Sequence, residues 1–238
     1  MTAVTTWCDE NRMAKNAEKT KCMLITTYQK LYRLPVKELE VTIENMQLKN
    51  IQHEKLLGVV IDQHLCWKQH VDKVHRTVSM LLARFRQIKP FLPTDARVKY
   101  VKAFIFPHFD YCCTIWGSAN VEKLYKLQKR AAWMIYDRPT RTPTEPLFRK
   151  LNWMTIMDRI DFRKVQMVYK SLNGLAPTYM KDMFKFVHEV SSAITRSSLY
   201  RSQIYLTKSK KSFKGIHQIF QIFQCYVMEQ SPRKYQEC

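Results

Sequence analysis

The spacing of hydrophobic positions changes character near Asp62. Before it, apolar residues come in short runs of strand length: Lys21 to Thr26 (KCMLIT), Leu39 to Ile43 (LEVTI) and Lys55 to Ile61 (KLLGVVI). Pro35 and Glu44-Asn45 supply breaks between them, and Thr6 reads as the cap of a short helix through Ala14. These features predict a small antiparallel sheet with one helix. From Trp67 the period becomes helical. Val71, Val74, Val78, Leu81, Phe85 and Ile88 recur at three and four, and Pro90 and Pro93 end the helix. Thr94 caps a second helix, with Val98, Val101 and Ile105 inward and a stop at Pro107. A third runs from Asn120 with Val121, Leu124, Leu127, Ala131 and Met134 on one face. The Pro/Thr-rich stretch Arg138 to Pro146 reads as a linker, followed by helices over Thr144 to Leu151 and Thr155 to Leu172, the latter closed by Asn173-Gly174. Pro177 to Phe184 adds a turn or two, and beyond Val187 only Gln203 to Leu206 has strand character. The expected fold is α+β and mostly α.

Composition narrows the partners. The 238 residues carry 40 Lys+Arg against 20 Asp+Glu, a formal charge of +20, which repels itself unless a polyanion shares the surface. With 46% hydrophobic residues the chain folds rather than staying disordered. No long uncharged apolar run is present, so RNA, DNA or an RNA–DNA hybrid is the expected partner and a membrane is not. The N-terminus lacks the charged and apolar regions of a secretory signal, which predicts an intracellular protein of the nucleus or cytoplasm. Seven cysteines without regular spacing read as reduced thiols. Four glycines, none in a phosphate-loop pattern, leave no nucleotide-binding loop.

Three readings compete for Leu56 to Val74 (LLGVVIDQHLCWKQHVDKV): a metal site, a strand-to-helix junction, or part of a nucleic-acid enzyme. His64, Cys66, His70 and His75 lie close in sequence, but only His70 and His75 have ligand-pair spacing, and on a helix five residues rotate one away from the other. Cys112-Cys113 with His108 has no partner pair, so buried thiols are the simpler reading and no metal site is expected. Asp158 and Asp161 share a helix face with Arg159 and Arg163 interleaved, as on a solvated charge-laced helix. No nucleophile elbow and no Asp-Asp dipeptide occur, so no catalytic residue is assigned. The positive signal is basic residues among aromatics. Trp67, Lys68, Lys73, Arg76, Arg84, Arg86 and Lys89 decorate the first long helix, and Lys123, Lys126, Lys129 and Arg130 the third. Such stripes suit a phosphate backbone, which asks for charge along a face rather than base-edge geometry.

The same stretch resembles reverse transcriptases of non-LTR retrotransposons of the jockey and chicken-repeat type, with their L-G-V-x-I-D strand followed by L-x-W-x-x-H-I/V. Trp7 to Ile25 is similar to their W-x(3)-N-x-M-x-x-N-x-x-K-T-x-x-M segment, with Asn16, Lys19 and Thr20 carrying the match. Phe106 to Gly117 (FPHFDYCCTIWG), Leu124 to Ile135 (LYKLQKRAAWMI), Val168 to Tyr179 (VYKSLNGLAPTY) and Thr195-Arg196 resemble later segments in the same order. The resemblance implies the end of a polymerase palm with a primer-grip-like hairpin (Leu57, Gly58, Val59) over 1–62. It further implies thumb-like basic helices over 63–137, a C-terminal helical region over 138–187 and a basic tail over 188–238. Asn16, Lys19 and Thr20 would lie near the incoming nucleotide, and Trp67, Lys68, Lys73, Arg76, Arg84, Lys123, Lys126, Lys129 and Arg130 would meet nucleic acid. The family's Y/F-x-D-D loop, which holds two Mg²⁺ ions, would precede Trp7. The chain by itself is therefore expected to hold no cofactor and not to polymerise. Residues 215–238 depart from the family pattern. A domesticated interaction protein and a relic of a decayed element remain the alternatives.

Overall fold

The computed structural model describes residues 2–14, 16, 18–35, 38–43, 46–186 and 204–206. The described part is α+β and mostly helical, and the chain divides into two compact units, Met1–Lys73 and Val74–Cys238.

In the first unit, α1 (Thr2–Glu10) begins before Thr6 and stops before Ala14, because Arg12 turns left-handed (φ 52°) and Met13 N–H closes on the Cys8 carbonyl at 2.8 Å. The expected single antiparallel sheet is instead three separate two-stranded pairs. β1 (Lys21–Cys22) and β4 (Lys49–Asn50) pair in parallel, whereas β2 (Thr42–Ile43) and β3 (Met46–Gln47) pair antiparallel. β5 (His53–Leu56) and β6 (Val59–Asp62) form a hairpin. A helix absent from the sequence reading, α2 (Tyr28–Arg33), starts where the Thr27 hydroxyl accepts the Lys30 N–H. Asn50 holds the irregular chain with its amide, accepting from Leu39 N–H at 3.0 Å and donating to the Leu39 carbonyl at 2.8 Å.

The long helix α3 (Lys68–Ile88) buries Val71, Val74, Val78, Leu82 and Phe85. Leu82 replaces the expected Leu81, and Ile88 is exposed, because the true helical period drifts away from an alternation of three and four over five turns. In the second unit α4 (Thr94–Tyr100) does not end at Pro107. A π-helical turn, Val101–Ile105, passes directly into α5 (Phe106–Asp110). Proline has no N–H for an i→i−4 bond and its ring clashes with that carbonyl, and the wider turn ahead of it absorbs both defects. α6 (Cys113–Trp116), α7 (Glu122–Ile135), α8 (Glu145–Leu151), α9 (Ile156–Leu172) and α10 (Thr178–Lys181) follow. β7 (Phe184–Phe186) pairs antiparallel with β8 (Ile204–Leu206), in the region where the sequence shows its late strand.

The helices before and after Arg138–Pro146 share one core. Gln128 on α7 is fully buried and clamps the entrance to α9: its amide donates to the Met154 carbonyl at 2.8 Å and accepts the Ile156 N–H at 2.9 Å. At Gly117 an added Cβ would collide with the Cys113 carbonyl and the Ile160 side chain, so α6 and α9 require glycine there. Arg159 is no solvated charge. With its partly buried guanidinium it grips Asp110 through Nε and through Nη2 at 2.6 Å, while Arg163 approaches the same carboxylate at 3.5 Å.

Candidate nucleic-acid interface

Leu56 to Val74 folds as a strand-to-helix junction organised by one carboxylate. Asp62, 7% exposed, is the last residue of β6 and accepts N–H groups from His64 (3.0 Å), Cys66 (3.1 Å) and Trp67 (2.7 Å). Burial alone would raise its pKa. The N–H groups of Cys66 and Trp67, the Cys66 thiol and the N–H of His64 outweigh burial and hold the carboxyl below its usual value. His64 and His70 are engaged structurally. His64 bonds through Nδ1 to the Thr26 carbonyl at 2.8 Å and stacks on Tyr28, and His70 Nδ1 accepts the Val60 N–H at 3.2 Å. Burial, helped by the Lys73 charge, pushes the His70 pKa down, so the neutral acceptor form is favoured.

The residues singled out in this unit fall into three places. Asn16, Lys19 and Thr20 share one turn: the Asn16 side-chain oxygen accepts the Lys19 N–H at 2.9 Å, and the Thr20 hydroxyl donates to the Asn16 carbonyl at 2.7 Å. Leu57 and Gly58 form the two-residue turn of the β5–β6 hairpin, both with positive φ (47° and 87°), and Val59 is buried beside them. Lys73 reaches that turn and donates to the Gly58 carbonyl at 2.9 Å. Lys68 is exposed at the first position of α3. Trp67, with φ 61° and 7% exposure, is packed at the head of α3.

In the second unit the basic positions separate by face. On α7, Lys123, Lys126 and Arg130 recur at i, i+3 and i+7, with Lys126 and Arg130 exposed and Lys123 half-buried at the edge of the buried stripe Leu124, Leu127, Gln128, Ala131, Ala132 and Ile135. Lys126 also meets Glu122 at 3.5 Å, an exposed pair that constrains it little. Lys129 lies to the side with its ammonium over the Tyr125 ring at 4.3 Å. The outward α7 face leads into a cleft of about 480 Å³ lined by Arg86, Lys89, Arg130, Trp133, Met134, Asp137, Arg138, Pro139 and Thr140. Arg76 and Arg84 are exposed on α3, but Arg84 precedes the cleft-lining Arg86 by two residues, about 200° round the helix, and shares no face with it.

Four cations and one carboxylate line this cleft. Asp137 is held by Lys89 and, at 2.6 Å, by Arg97, and these partners in that order draw its pKa below the usual value. Arg97 itself is fixed by the Lys89, Leu92 and Ile135 carbonyls. Among the described residues, the side chains of Arg86, Arg130 and Arg138 have neither an ion-pair nor a hydrogen-bond partner. The sequence reading missed Arg138 and Trp133, and it named Arg86 and Lys89 only as parts of a stripe. A second cleft, of about 270 Å³, lies beside α6 and α9, but there Arg163 already faces Asp110. Among the described residues no group of three or more His, Cys, Asp or Glu side chains is placed to hold a metal ion. No described helix is long and apolar enough to cross a membrane.

Comparison with known proteins gives one line of kinship. Over 127 residues, 51% of the chain, the sequence is 24% identical to a Drosophila melanogaster protein described as a probable RNA-directed DNA polymerase from transposon X-element. The match spans 14% of that protein's length. No protein-family model and no solved structure matches the chain. The similarity supports a relation to retrotransposon reverse transcriptases.

Proposed function

We propose that the chain is the part of a non-LTR retrotransposon reverse transcriptase that follows the catalytic loop, and that it holds nucleic acid by its phosphate backbone. The observation that carries this reading is the α7 stripe Lys123–Lys126–Arg130 running into a cleft whose three arginines have no partner among the described residues. Kinship with the X-element polymerase supplies the class of ligand. In this reading the first unit is the end of the palm, with Leu57–Gly58 as a primer-grip-like turn, and the basic helices of the second unit serve as a thumb. The metal-holding carboxylates belong to an upstream segment, so this chain binds a template–primer without extending it.

A fluorescence-anisotropy titration against a labelled RNA–DNA hybrid tests the binding. Affinity should fall steeply with salt, since each phosphate contact contributes about −0.9 to the slope of log K against log salt on duplex DNA. Binding that is absent at low salt or indifferent to salt would refute the proposal. A primer-extension assay with Mg²⁺ and nucleotides should yield no product, and extension by this chain would overturn the assignment of the carboxylates to another segment.

A further inference from the structure

The cleft at the end of α7 differs from a plain phosphate-binding face because it includes an indole. Trp133 Nε1 donates to the Thr142 carbonyl at 2.9 Å, which satisfies the ring's only polar atom and fixes its orientation. Trp133 therefore lines the cleft as an apolar surface, with Met134 and Pro139 beside it and Arg86, Arg130 and Arg138, which have no partner among the described residues, around it. A duplex offers this arrangement only its backbone, because its bases are stacked and paired inside. An unpaired strand offers a phosphate and the flat face of a base one nucleotide apart, the combination that basic, aromatic single-strand sites use. We propose that this cleft seats one nucleotide of a single-stranded segment, phosphate toward the three arginines and base against Trp133. The inference rests on the nucleic-acid reading above and specifies which form of the polymer this part of the surface selects.

The test compares three labelled probes of one length by anisotropy on the full chain: a single-stranded RNA, the same backbone with abasic sites, and an RNA–DNA hybrid. Wild-type protein should bind the base-bearing strand at least about fivefold more tightly than the abasic strand, the effect of one stacked base. Trp133→Ala should remove that difference and leave hybrid binding within twofold, while Trp133→Phe should keep most of it. Equal wild-type affinity for abasic and base-bearing strands would overturn the proposal, and this comparison needs no variant to fold. So would a Trp133→Ala loss as large on the hybrid as on the single strand. Salt-dependent hybrid binding without a base effect would reject this inference alone, whereas failure of every probe to bind would reject the broader reading with it.

Discussion

Replacing Asp62 tests whether one buried carboxylate builds the junction between the hairpin and α3. Its Oδ1 accepts from His64 and Cys66 and its Oδ2 from Trp67, so the two oxygens are not equivalent. In Asp62→Asn, an amide oxygen kept at the Oδ1 position turns the NH₂ group against the Trp67 N–H, and the opposite rotamer turns it against two donors. Either way at least one charge-assisted bond is lost, at about 1.5–3 kcal/mol. Asp62→Ala strands all three N–H donors and the Cys66 thiol and removes the anion near the start of α3, for a cost of about 3–5 kcal/mol at the upper end of capping effects. Native-state hydrogen exchange reads this locally. The Cys66 and Trp67 amides should lose roughly tenfold to hundredfold protection in the asparagine variant and more in the alanine variant, with the β5–β6 amides following. Because the carboxyl is held below its usual value, its contribution to protection at these amides should be complete above the ordinary carboxylate pKa and be lost as pH falls from there through the lowered value. An asparagine variant with wild-type exchange rates would refute the assignment of this carboxylate as the organiser.

The remaining predictions concern the core, a histidine and the cleft. Gln128→Leu leaves the Met154 carbonyl and the Ile156 N–H without their clamp, and should destabilise the second unit by about 2–4 kcal/mol in denaturant unfolding. Gly117→Ala should cost about 1–3 kcal/mol by overpacking α6 against α9, read in the same experiment. His70 is held below its ordinary value of about 6.5, so its contribution is complete above that pH and disappears as pH falls through the lowered pKa; protection of the Val60 amide, which His70 accepts, should fall in that window. Asp137→Asn removes the one acid among the described cleft residues and releases Lys89 and Arg97, and should tighten hybrid binding by about fivefold at low salt, the effect of one charge near a phosphate in water.

The sequence exposed those features that repeat along one helix. α7 and α9 lie close to where periodicity and the Asn173-Gly174 stop place them, and the Lys123–Lys126–Arg130 face follows from spacing alone. The first unit was misread because most of its strands are two residues long and leave no alternation to detect, and because α2 depends on a single threonine cap. Pro107 was misread as a stop because a preceding π-turn can carry a helix through proline. Trp67 resembled a surface aromatic among lysines, yet a left-handed backbone at the head of α3 accompanies its burial. The cleft lay beyond sequence reasoning, since Arg86, Arg130 and Arg138 come from two helices and a loop and meet only after the second unit packs. Several motif residues that carry the family resemblance have structural duties here: Asp62 caps, Gln128 clamps, Gly117 permits close packing and Trp116 is buried with its N–H on the Tyr111 carbonyl at 2.7 Å. A resemblance carried by such residues speaks for a shared scaffold more directly than for shared chemistry.

The most direct test of the central claim is the salt dependence of hybrid binding for wild-type protein and for two charge-matched triple variants. The first replaces Lys123, Lys126 and Arg130 with glutamine. The second replaces Lys208, Lys210 and Lys211, which lie outside the described residues. If the α7 face grips the backbone, the first variant should lower the magnitude of the log K against log salt slope by about 2–3, and the second should change it by less than one. Equal slopes for the two variants would contradict the account and leave only the overall positive charge to explain the binding.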